Sequence, residues 1–368
     1  MRSTIDPPII AAPAAGAMTR KALPGRANLI TDVSGIAVGN AEDRSAWSGV
    51  TVILPDARAV AAVDVRGGAP GTRETDTLAP TGLVDRVDAI VLSGGSAFGL
   101  DAAGGAMAWL AERRRGFKVG AAVVPIVPTA ILFDLLNGGD KSWGDRPPYR
   151  ELGRQAAESA RGDFALGNAG AGFGACAGGL KGGLGSASAV TDDGIEVGAV
   201  VAVNCFGSVT IPGSRCFWAW PFEQDGEFGD LAPPARDRSF DLDPPIEKPA
   251  TGAAAGANTA LGVVATNVAL SRPQAMRMAM MAQDGFARAI RPAHTPFDGD
   301  VIFALSTARK PLEGAMELMR IGSLAADCVS RAIARGVFAA ESLGAMAAYN
   351  AALCRAKIAV EQGPWRTI

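Results

Sequence analysis

The pair Asn258-Thr259 lies where a glycine- and alanine-rich segment meets an apolar, β-branched run. Residues 251–270 read TGAAAGANTALGVVATNVAL, which predicts a strand that begins close to Thr259. A threonine between a flexible approach and a buried strand suits a chain that cuts itself. The Thr259 hydroxyl would attack the Asn258 carbonyl, shift the acyl group from nitrogen to oxygen, and release the upstream segment when water hydrolyses the ester.

Cleavage at that bond would make Thr259 the first residue of a new chain. A free α-amine titrates at about 7.7–8.0, so near neutral pH it accepts a proton and can activate the hydroxyl beside it. Threonine activated by its own amine is an established nucleophile arrangement. For the dipeptide alone, the simpler interpretation is an asparagine in a turn before an ordinary strand.

An acidic pair precedes a second predicted buried strand, in the segment HTPFDGD (294–300). Asp298 and Asp300 are two residues apart, so they point to the same side if strand geometry extends that far. Near an ammonium they would hold and orient it; near each other, one would have a raised pKa and carry protons. The alternative is an Asx turn, because Asp-Gly-Asp is ordinary turn chemistry.

Two further polar residues have unusual neighbours in the sequence. Lys181 is inside a glycine tract, where its ammonium could approach a reacting carbonyl; a solvated turn lysine is the alternative. Asn204 is inside the apolar run VVAVNCFG, and a buried amide without partners costs a few kcal/mol. Its NH₂ group is a candidate oxyanion donor, a role worth roughly 3–4 kcal/mol. A structural amide bonded to the backbone fits the sequence equally well.

The composition narrows the available chemistry. His294 is the only histidine among 368 residues, which excludes multi-histidine metal sites and leaves one imidazole for any Ser-His-Asp triad. Five cysteines without CxxC spacing predict free thiols and a cytoplasmic location. The net charge is −2 with scattered basic residues, and no apolar run reaches the roughly 18 residues of a membrane helix. We therefore expect no metal, no organic cofactor, no nucleic-acid partner and no membrane association.

The order of predicted elements favours stacked sheets with helices outside, because strands and helices occur in two blocks. Strands are predicted within 28–66, 121–135, 195–211 (a pair with a turn at Gly207), 261–269 and 301–307, and residues 88–114 are predicted to form a strand, a glycine-rich turn and a helix. Helices are predicted before 114, at 150–160, after Ser271, and as two alanine-rich helices in 320–356. Residues 1–27 are predicted to be a disordered tail. A polar, proline-rich segment of about 221–258 is predicted to be a mobile linker that ends at the cut, with a plain interdomain linker as the alternative.

Three segments imitate well-known motifs without completing them. GAGFGA (170–175) resembles a dinucleotide fingerprint, but no helical pattern follows it. GGSAFG (94–99) approaches a nucleophile elbow around Ser96, but Phe98 occupies the position of the second glycine. GGLKGG (178–183) lacks the Gly-Lys-Ser/Thr of a phosphate-binding loop.

With these residues identified, the chain resembles the self-processing L-aminopeptidase/D-esterase family, which includes β-peptidyl aminopeptidases and the nylon-oligomer endohydrolase. The resemblance covers nearly the whole chain. It rests on six blocks in order: LITDVSGIAVGN (29–40), SGGSAFGLDAA (93–103), GNAGAGFGACAGGLKGGLGSAS (167–188), VNCFG (203–207), ANTALGVVATN (257–267) and HTPFDGD (294–300).

The resemblance implies a four-layer αββα sandwich of the N-terminal-nucleophile type. It also implies an α subunit (28–258) and a β subunit (259–368) that stay together after cleavage, usually as oligomers, with a tetramer of αβ units expected. Thr259 matches the nucleophile and Asn204 the oxyanion-hole amide. Lys181, Asp298 and Asp300 match the nylon-oligomer branch, whereas aminopeptidase members carry Ser and Glu at the last two positions.

One position departs from the family pattern. Phe133, in the run TAILFDL (129–135), stands where relatives often have tyrosine, which removes a phenolic donor from the site. Phe133 and Ser96 are candidate substrate-pocket residues.

The sequence thus predicts an autoprocessing N-terminal-threonine hydrolase of peptides or amino-acid amides. An endo-acting hydrolase of ω-amino-acid oligomers of the nylon type (6-aminohexanoate) is the alternative substrate class. A non-catalytic small-molecule or nucleotide-binding protein and a Ser96 esterase are the alternatives from other classes.

Overall fold

The computed structural model describes residues 21–235 and 258–351; within them the chain forms sixteen strands and five complete α-helices, and residues 349–351 are also helical. The strands are β1 (Ala22–Leu23), β2 (Ile36–Asp43), β3 (Ser48–Pro55), β4 (Ala59–Val65), β5 (Thr72–Arg73), β6 (Arg86–Val87), β7 (Ile90–Ser93), β8 (Phe117–Val119), β9 (Ala122–Val124), β10 (Thr129–Ile131), β11 (Cys176–Ala177), β12 (Leu180–Lys181), β13 (Gly183–Thr191), β14 (Glu196–Asn204), β15 (Thr259–Val268) and β16 (Val301–Lys310). The helices are α1 (Ala102–Glu112), α2 (Tyr149–Glu158), α3 (Arg272–Ala282), α4 (Asp284–Ala289) and α5 (Ala315–Phe338).

The larger sheet has the strand order β1-β13-β14-β15-β16-β4-β6. Its neighbours are antiparallel except for β15 and β16, which run parallel, so the start of both strands lies at the same edge. Every residue of β15 is buried, which explains why its sequence is apolar throughout and does not alternate. Thr259 therefore begins the central strand of the sheet.

The smaller sheet has the strand order β2-β3-β7-β10-β5. Strands β7 and β10 are parallel, and a glycine-rich turn leads from β7 into α1. This is the predicted strand–turn–helix arrangement of residues 88–114.

Three apolar clusters separate four layers. The first packs α3, α4 and α5 on the outer face of the larger sheet, the second fills the space between the two sheets, and the third packs α1 and α2 on the outer face of the smaller sheet. The layers are thus α, β, β and α, and the predicted αββα sandwich is confirmed. No helix in the described part of the chain is long and apolar enough to cross a membrane.

Glycine allows the closest contact between layers. A Cβ on Gly185 of β13 would lie 1.8 Å from the carbonyl oxygen of Ala332 in α5, a distance that no side chain tolerates. The glycine tract therefore lets α5 lie directly on β13. It also explains a wrong prediction: β14 pairs with β15 on one side and β13 on the other, and not with a strand within 205–211, because the small residues of β13 hide its strand character.

The helix and tail boundaries also differ from the prediction. Of the two helices predicted within 320–356, α5 is the first, residues 349–351 are helical again, and residues 352–356 lie outside the described residues. In the predicted tail, β1 pairs with β13 and the Gly25 N–H donates to Ser188 Oγ (3.1 Å). Residues 1–20 lie outside the described residues.

The first part of the predicted linker is packed against the protein. Glu227 forms a buried ion pair with Arg331 of α5 (Oε1–Nε, 2.5 Å), and Phe228 is buried edge-on against Phe217. The segment has no hydrophobic periodicity, so the sequence did not indicate that these two side chains are buried. Residues 236–257, the rest of the predicted linker, lie outside the described residues.

Candidate functional site

Thr259 is buried at the junction of three chain segments. Its backbone lies opposite Asn204, the last residue of β14, and Asn258 forms a parallel bridge with Asp298. The Thr259 hydroxyl donates to the carbonyl oxygen of Asn258 at 2.5 Å. Asn258 is fully buried and Thr259 is 2% exposed. The Asn258–Thr259 bond is therefore enclosed by the protein.

Gly299 places a second donor on the same carbonyl. Its backbone N–H donates to the Asn258 oxygen at 2.9 Å, and a Cβ at this position would lie 2.6 Å from Thr259 Oγ. A donor at such a distance from a carbonyl oxygen can stabilise the negative charge that develops when the carbon is attacked. The absence of a side chain at residue 299 makes this approach possible.

Asp300 connects the nucleophile strand to the chain's one histidine. Its Oδ1 accepts the backbone N–H of Ala260 at 2.8 Å, one residue after Thr259. Its Oδ2 accepts the backbone N–H of His294 (3.1 Å) and lies 2.9 Å from His294 Nδ1. Asp300 is 1% exposed, so its carboxyl group is shielded from water.

Asp298 is bonded on both oxygens to its own loop and to the loop after β14. Its Oδ2 accepts the Thr295 N–H (2.9 Å) and hydroxyl (2.6 Å), and its Oδ1 accepts the Phe206 N–H (3.2 Å). Burial, and secondly the charge of Asp300, raise the pKa of the Asp298 carboxyl. The structure thus brings both predicted acids beside the Asn258–Thr259 bond, with hydrogen bonds that fix their positions.

The side-chain amide of Asn204 is held in one orientation. Its Oδ1 accepts the Cys176 N–H at 2.9 Å, and its Nδ2 donates to the carbonyl oxygen of Phe133 at 3.1 Å. Asn204 is 2% exposed and pairs with Thr259 through the sheet. The partly buried Phe133 takes part in the site through its carbonyl group, which the sequence did not suggest.

Lys181 is fully buried within the glycine tract. Its Nζ donates to the carbonyl oxygens of Gly172 (3.0 Å) and Gly182 (2.8 Å). Burial lowers the pKa of Lys181 to about 7, although nearby Cys176 and Asp134 act in the opposite direction. Lys181 is therefore a titratable group near neutral pH and not a solvated turn lysine.

Ser96 lies at the turn after β7, on the same sheet edge as Phe133. Its φ of 52° is left-handed, and its N–H donates to the Leu132 carbonyl at 2.9 Å. The turn is sharp, as in a nucleophile elbow, but the only histidine is bound to Asp300 beside Thr259. The imidazole that a Ser96 esterase would need is thus committed elsewhere.

Asp134 is a buried polar residue that the sequence interpretation missed. It accepts the Ser48 hydroxyl (2.6 Å) and the Gly95 N–H (2.8 Å), and burial raises its pKa. A Cβ on Gly94 would lie 2.2 Å from Asp134 Oδ2, which explains the glycine pair in SGGSAFG. A single acid inside the apolar run TAILFDL gave no motif; the adjacent glycine pair was the available signal.

Two other features of the described chain bear on where the chemistry could take place. Residues 21–235 and 258–351 contain no group of three or more His, Cys, Asp or Glu side chains arranged for a metal ion. A cavity of about 230 Å³ lies between β1, residues 221–224 and α5, where Leu324 and Cys328 line it. It is remote from Thr259, so its size is not evidence for the location of the chemistry.

Comparisons with known proteins place the site in context. Residues 28–350 match the model of Peptidase family S58. An uncharacterized aminopeptidase of Mycobacterium tuberculosis is 44% identical over 342 residues, which covers 88% of this chain and 97% of the relative. The 6-aminohexanoate-oligomer endohydrolase of Kocuria sp. (strain KY2) is 31% identical over 290 residues, or 77% and 76% of the two chains.

Solved structures show the same fold at lower identity. A Burkholderia sp. beta-aminopeptidase has a TM-score of 0.64 at 23% identity, covering 94% of this chain and 97% of that one. The L-aminopeptidase D-Ala-esterase/amidase from Ochrobactrum anthropi, described as a variant of the Ntn (N-terminal nucleophile) hydrolase fold, has a TM-score of 0.61 at 21% identity, covering 87% and 88%. The αββα sandwich is therefore an Ntn hydrolase fold.

Proposed function

Because the chain belongs to peptidase family S58, and is thus a hydrolase of amide or peptide bonds, we propose that Thr259 is its nucleophile and that cleavage of Asn258–Thr259 activates it. A non-catalytic binding protein is excluded by the family. The observation that carries this proposal is the pair of donors on one carbonyl: the Thr259 hydroxyl at 2.5 Å and the Gly299 N–H at 2.9 Å from the Asn258 oxygen.

Maturation begins with attack of Thr259 Oγ on the Asn258 carbonyl carbon. The Gly299 N–H stabilises the oxyanion, the C–N bond breaks, and the hydroxyl proton goes to the nitrogen that becomes the Thr259 amine. The resulting ester joins Asn258 to Thr259 Oγ. Water then hydrolyses it, which leaves a carboxylate on Asn258 and restores the threonine hydroxyl.

The mature enzyme uses the same groups on an external amide. The Thr259 amine takes the hydroxyl proton, Oγ attacks the substrate carbonyl, and water releases the acyl group. Asn204, opposite Thr259 in the sheet, and the Gly299 N–H are the proposed oxyanion donors. Asp298 and Asp300 orient the amine and move protons.

Cleavage also opens the site to substrate. In the intact chain the reacting residues are buried, so an external amide has no access to Thr259 Oγ. We propose that the new carboxyl end at Asn258 withdraws from the space beside Thr259. Residues 28–258 and 259–368 are then the α and β subunits of one αββα unit.

The proposed substrates are peptides or amino-acid amides. Endo-acting hydrolysis of 6-aminohexanoate oligomers is the second candidate, favoured by the 31% identical endohydrolase and by Lys181, Asp298 and Asp300, which match that branch. An oligomer of αβ units and a cytoplasmic location stay predictions.

The test compares the wild-type protein with Thr259→Ala and Thr259→Ser on a denaturing gel and on a panel of amino-acid p-nitroanilides, amides and 6-aminohexanoate oligomers. We expect two bands and hydrolysis for the wild type. Thr259→Ser keeps a hydroxyl and should be cut, more slowly. Thr259→Ala should remain intact and inactive. Cleavage or hydrolysis by Thr259→Ala would disprove the proposed nucleophile.

A further inference from the structure

His294 lies close to the site but has no role in the reaction proposed above. It is the only histidine of the chain, and both its backbone N–H and its ring Nδ1 contact one oxygen, Oδ2 of Asp300 (3.1 and 2.9 Å). Its φ is 55°, a left-handed conformation that is unfavourable for a non-glycine residue. This backbone conformation allows both the backbone N–H and the ring of His294 to reach the same carboxylate oxygen.

The other oxygen of Asp300 leads to the nucleophile. Oδ1 accepts the N–H of Ala260 at 2.8 Å, so one carboxylate joins the imidazole to the residue that follows Thr259. The His294 ring lies beside Phe286 of α4, with ring centroids 5.8 Å apart, and its side chain is 20% exposed. One edge of the imidazole is thus fixed and buried, while part of the ring reaches solvent.

The charged groups around this pair are committed to other partners. Arg66, after β4, donates its backbone N–H to the Asp300 carbonyl, but its guanidinium pairs with Asp64. The Arg291 guanidinium lies over Trp218. From α4, Arg288 pairs with Asp327.

Within the acidic loop, Asp298 is bonded to Thr295 and Phe206. The His294 ring, in contrast, bonds directly to the Asp300 carboxylate.

We propose that His294 is a positioning residue which, through Asp300, holds the start of β15 and orients the Thr259 amine during hydrolysis. This inference rests on the proposed function. Nδ1–H donates to Oδ2, which fixes the rotation of the carboxylate, and Oδ1 then fixes Ala260. A misplacement of about 1 Å in a reacting group can cost on the order of 10²-fold in rate.

The kinetic experiment compares His294→Ala with His294→Asn in the mature enzyme. The Asn side chain places an N–H donor close to the position of Nδ1 without an imidazole. We expect His294→Ala to lower kcat by about 10–100-fold with little change in KM, and His294→Asn to recover most of the loss. Equal activity of wild type and His294→Ala, or a loss in His294→Ala that His294→Asn does not reduce, would overturn the assignment.

A spectroscopic experiment tests the hydrogen bond itself, independently of activity. In tag-free Thr259→Ala protein the single imidazole gives one set of ring ¹⁵N signals, which distinguish the two tautomers. We expect the proton on Nδ1, because the tautomer follows the hydrogen bond that the ring makes, and a change of this signal in Asp300→Asn. A proton on Nε2 in neutral His294 would contradict the proposal.

Failure of this inference is distinguishable from failure of the proposed function. Intact-mass measurement of the wild-type protein reports cleavage at Asn258–Thr259 directly. If the wild type is cut and active while His294→Ala matches it, only the role of His294 is wrong. If active wild type is uncut, the proposed function is wrong.

Discussion

The two segments that carry the predicted charged site residues hold those residues in opposite ways. The acidic loop (residues 294–300) holds two carboxylates whose four oxygens all accept hydrogen bonds from N–H or O–H groups, or contact the His294 ring. The glycine tract (residues 167–190) holds one ammonium, on Lys181, whose hydrogen bonds go to the carbonyl oxygens of Gly172 and Gly182. Hydrogen bonds thus fix the positions of the two carboxylates in the acidic loop, whereas the charge of Lys181 in the glycine tract depends on pH.

The acidic loop therefore has a positioning role, and Lys181 is the group whose charge changes with pH. Carboxylates that already accept several hydrogen bonds need little reorganisation when a charge develops beside them. Burial disfavours the charged form of a lysine whose hydrogen bonds go only to neutral carbonyl groups. The pKa of Lys181 is therefore lowered to about 7. Changes in the acidic loop should therefore affect geometry and maturation, and changes at Lys181 should affect the response to pH.

The largest effect is expected for Gly299→Ala in the acidic loop. The added Cβ would lie 2.6 Å from Thr259 Oγ and 2.7 Å from the Ala69 carbonyl oxygen, so the loop must move and the N–H must leave the Asn258 carbonyl. Loss of one oxyanion donor costs about 10²–10³-fold in rate. We expect the precursor to persist on a time-resolved denaturing gel.

Gly162→Ala is the matched control, because a Cβ there has no atom within 4 Å and φ is not left-handed. It should mature at the wild-type rate. Normal maturation of Gly299→Ala would show that this N–H is not an oxyanion donor.

Lys181→Met should lower kcat/KM of the matured enzyme by about 10²-fold, the lower end of what a proton-transfer or charge-stabilising group contributes. The ammonium is the form that stabilises negative charge, so this part of the wild-type activity should fall as pH rises through about 7. The pH–rate profile of Lys181→Met should lack that decline. The exposed Lys118→Met is the control, and identical profiles for both variants would refute the role of Lys181.

Lys181 should also make stability depend on pH. Its pKa in the folded chain is about 7, below the ordinary value of 10.5, so the unfolded chain binds more protons between those pH values. The free energy of unfolding should therefore rise as pH increases through this range and be lowest below it. Urea denaturation of Thr259→Ala and Thr259→Ala/Lys181→Met across this range tests the point. An equal slope in both proteins would be evidence against a neutral buried lysine.

The smallest effect is expected for Phe133→Tyr. This change restores the phenolic donor that relatives often have in this segment, and one hydrogen-bond donor is worth about 1 kcal/mol, or roughly a fivefold increase in kcat. Phe98→Tyr, at an exposed ring that packs on Trp143, should leave kcat unchanged. A decrease for Phe133→Tyr would mean that the added hydroxyl disturbs Asn204.

The sequence predicted those parts of the fold that have an apolar run or a helix-start signal. Apolar runs located β3, β4, β15 and β16, and Ser271 located the start of α3. It failed for β13, where glycine, serine and alanine are needed to admit α5 and carry no β signal. It also failed for residues 221–235, which two buried side chains, Glu227 and Phe228, fasten to the protein.

The candidate site was predictable where residue type and spacing carry the chemistry. Asn258, Thr259, Asn204 and the acidic pair converge as expected, because β14, β15 and β16 are adjacent in the sheet. The contributions of main-chain groups, such as the Gly299 N–H and the Phe133 carbonyl, were not predictable, because they depend on three-dimensional approach and not on side-chain identity. Asp134 was not predicted because a single acid inside an apolar run forms no motif.

Intact-mass spectrometry of freshly purified, active wild-type protein tests the central claim most directly. We expect two polypeptides, the smaller beginning Thr259-Ala260-Leu261-Gly262, with masses that add up to the whole chain plus one water. One unbroken polypeptide with full hydrolytic activity would contradict it, because Thr259 would then have no free amine to serve as base.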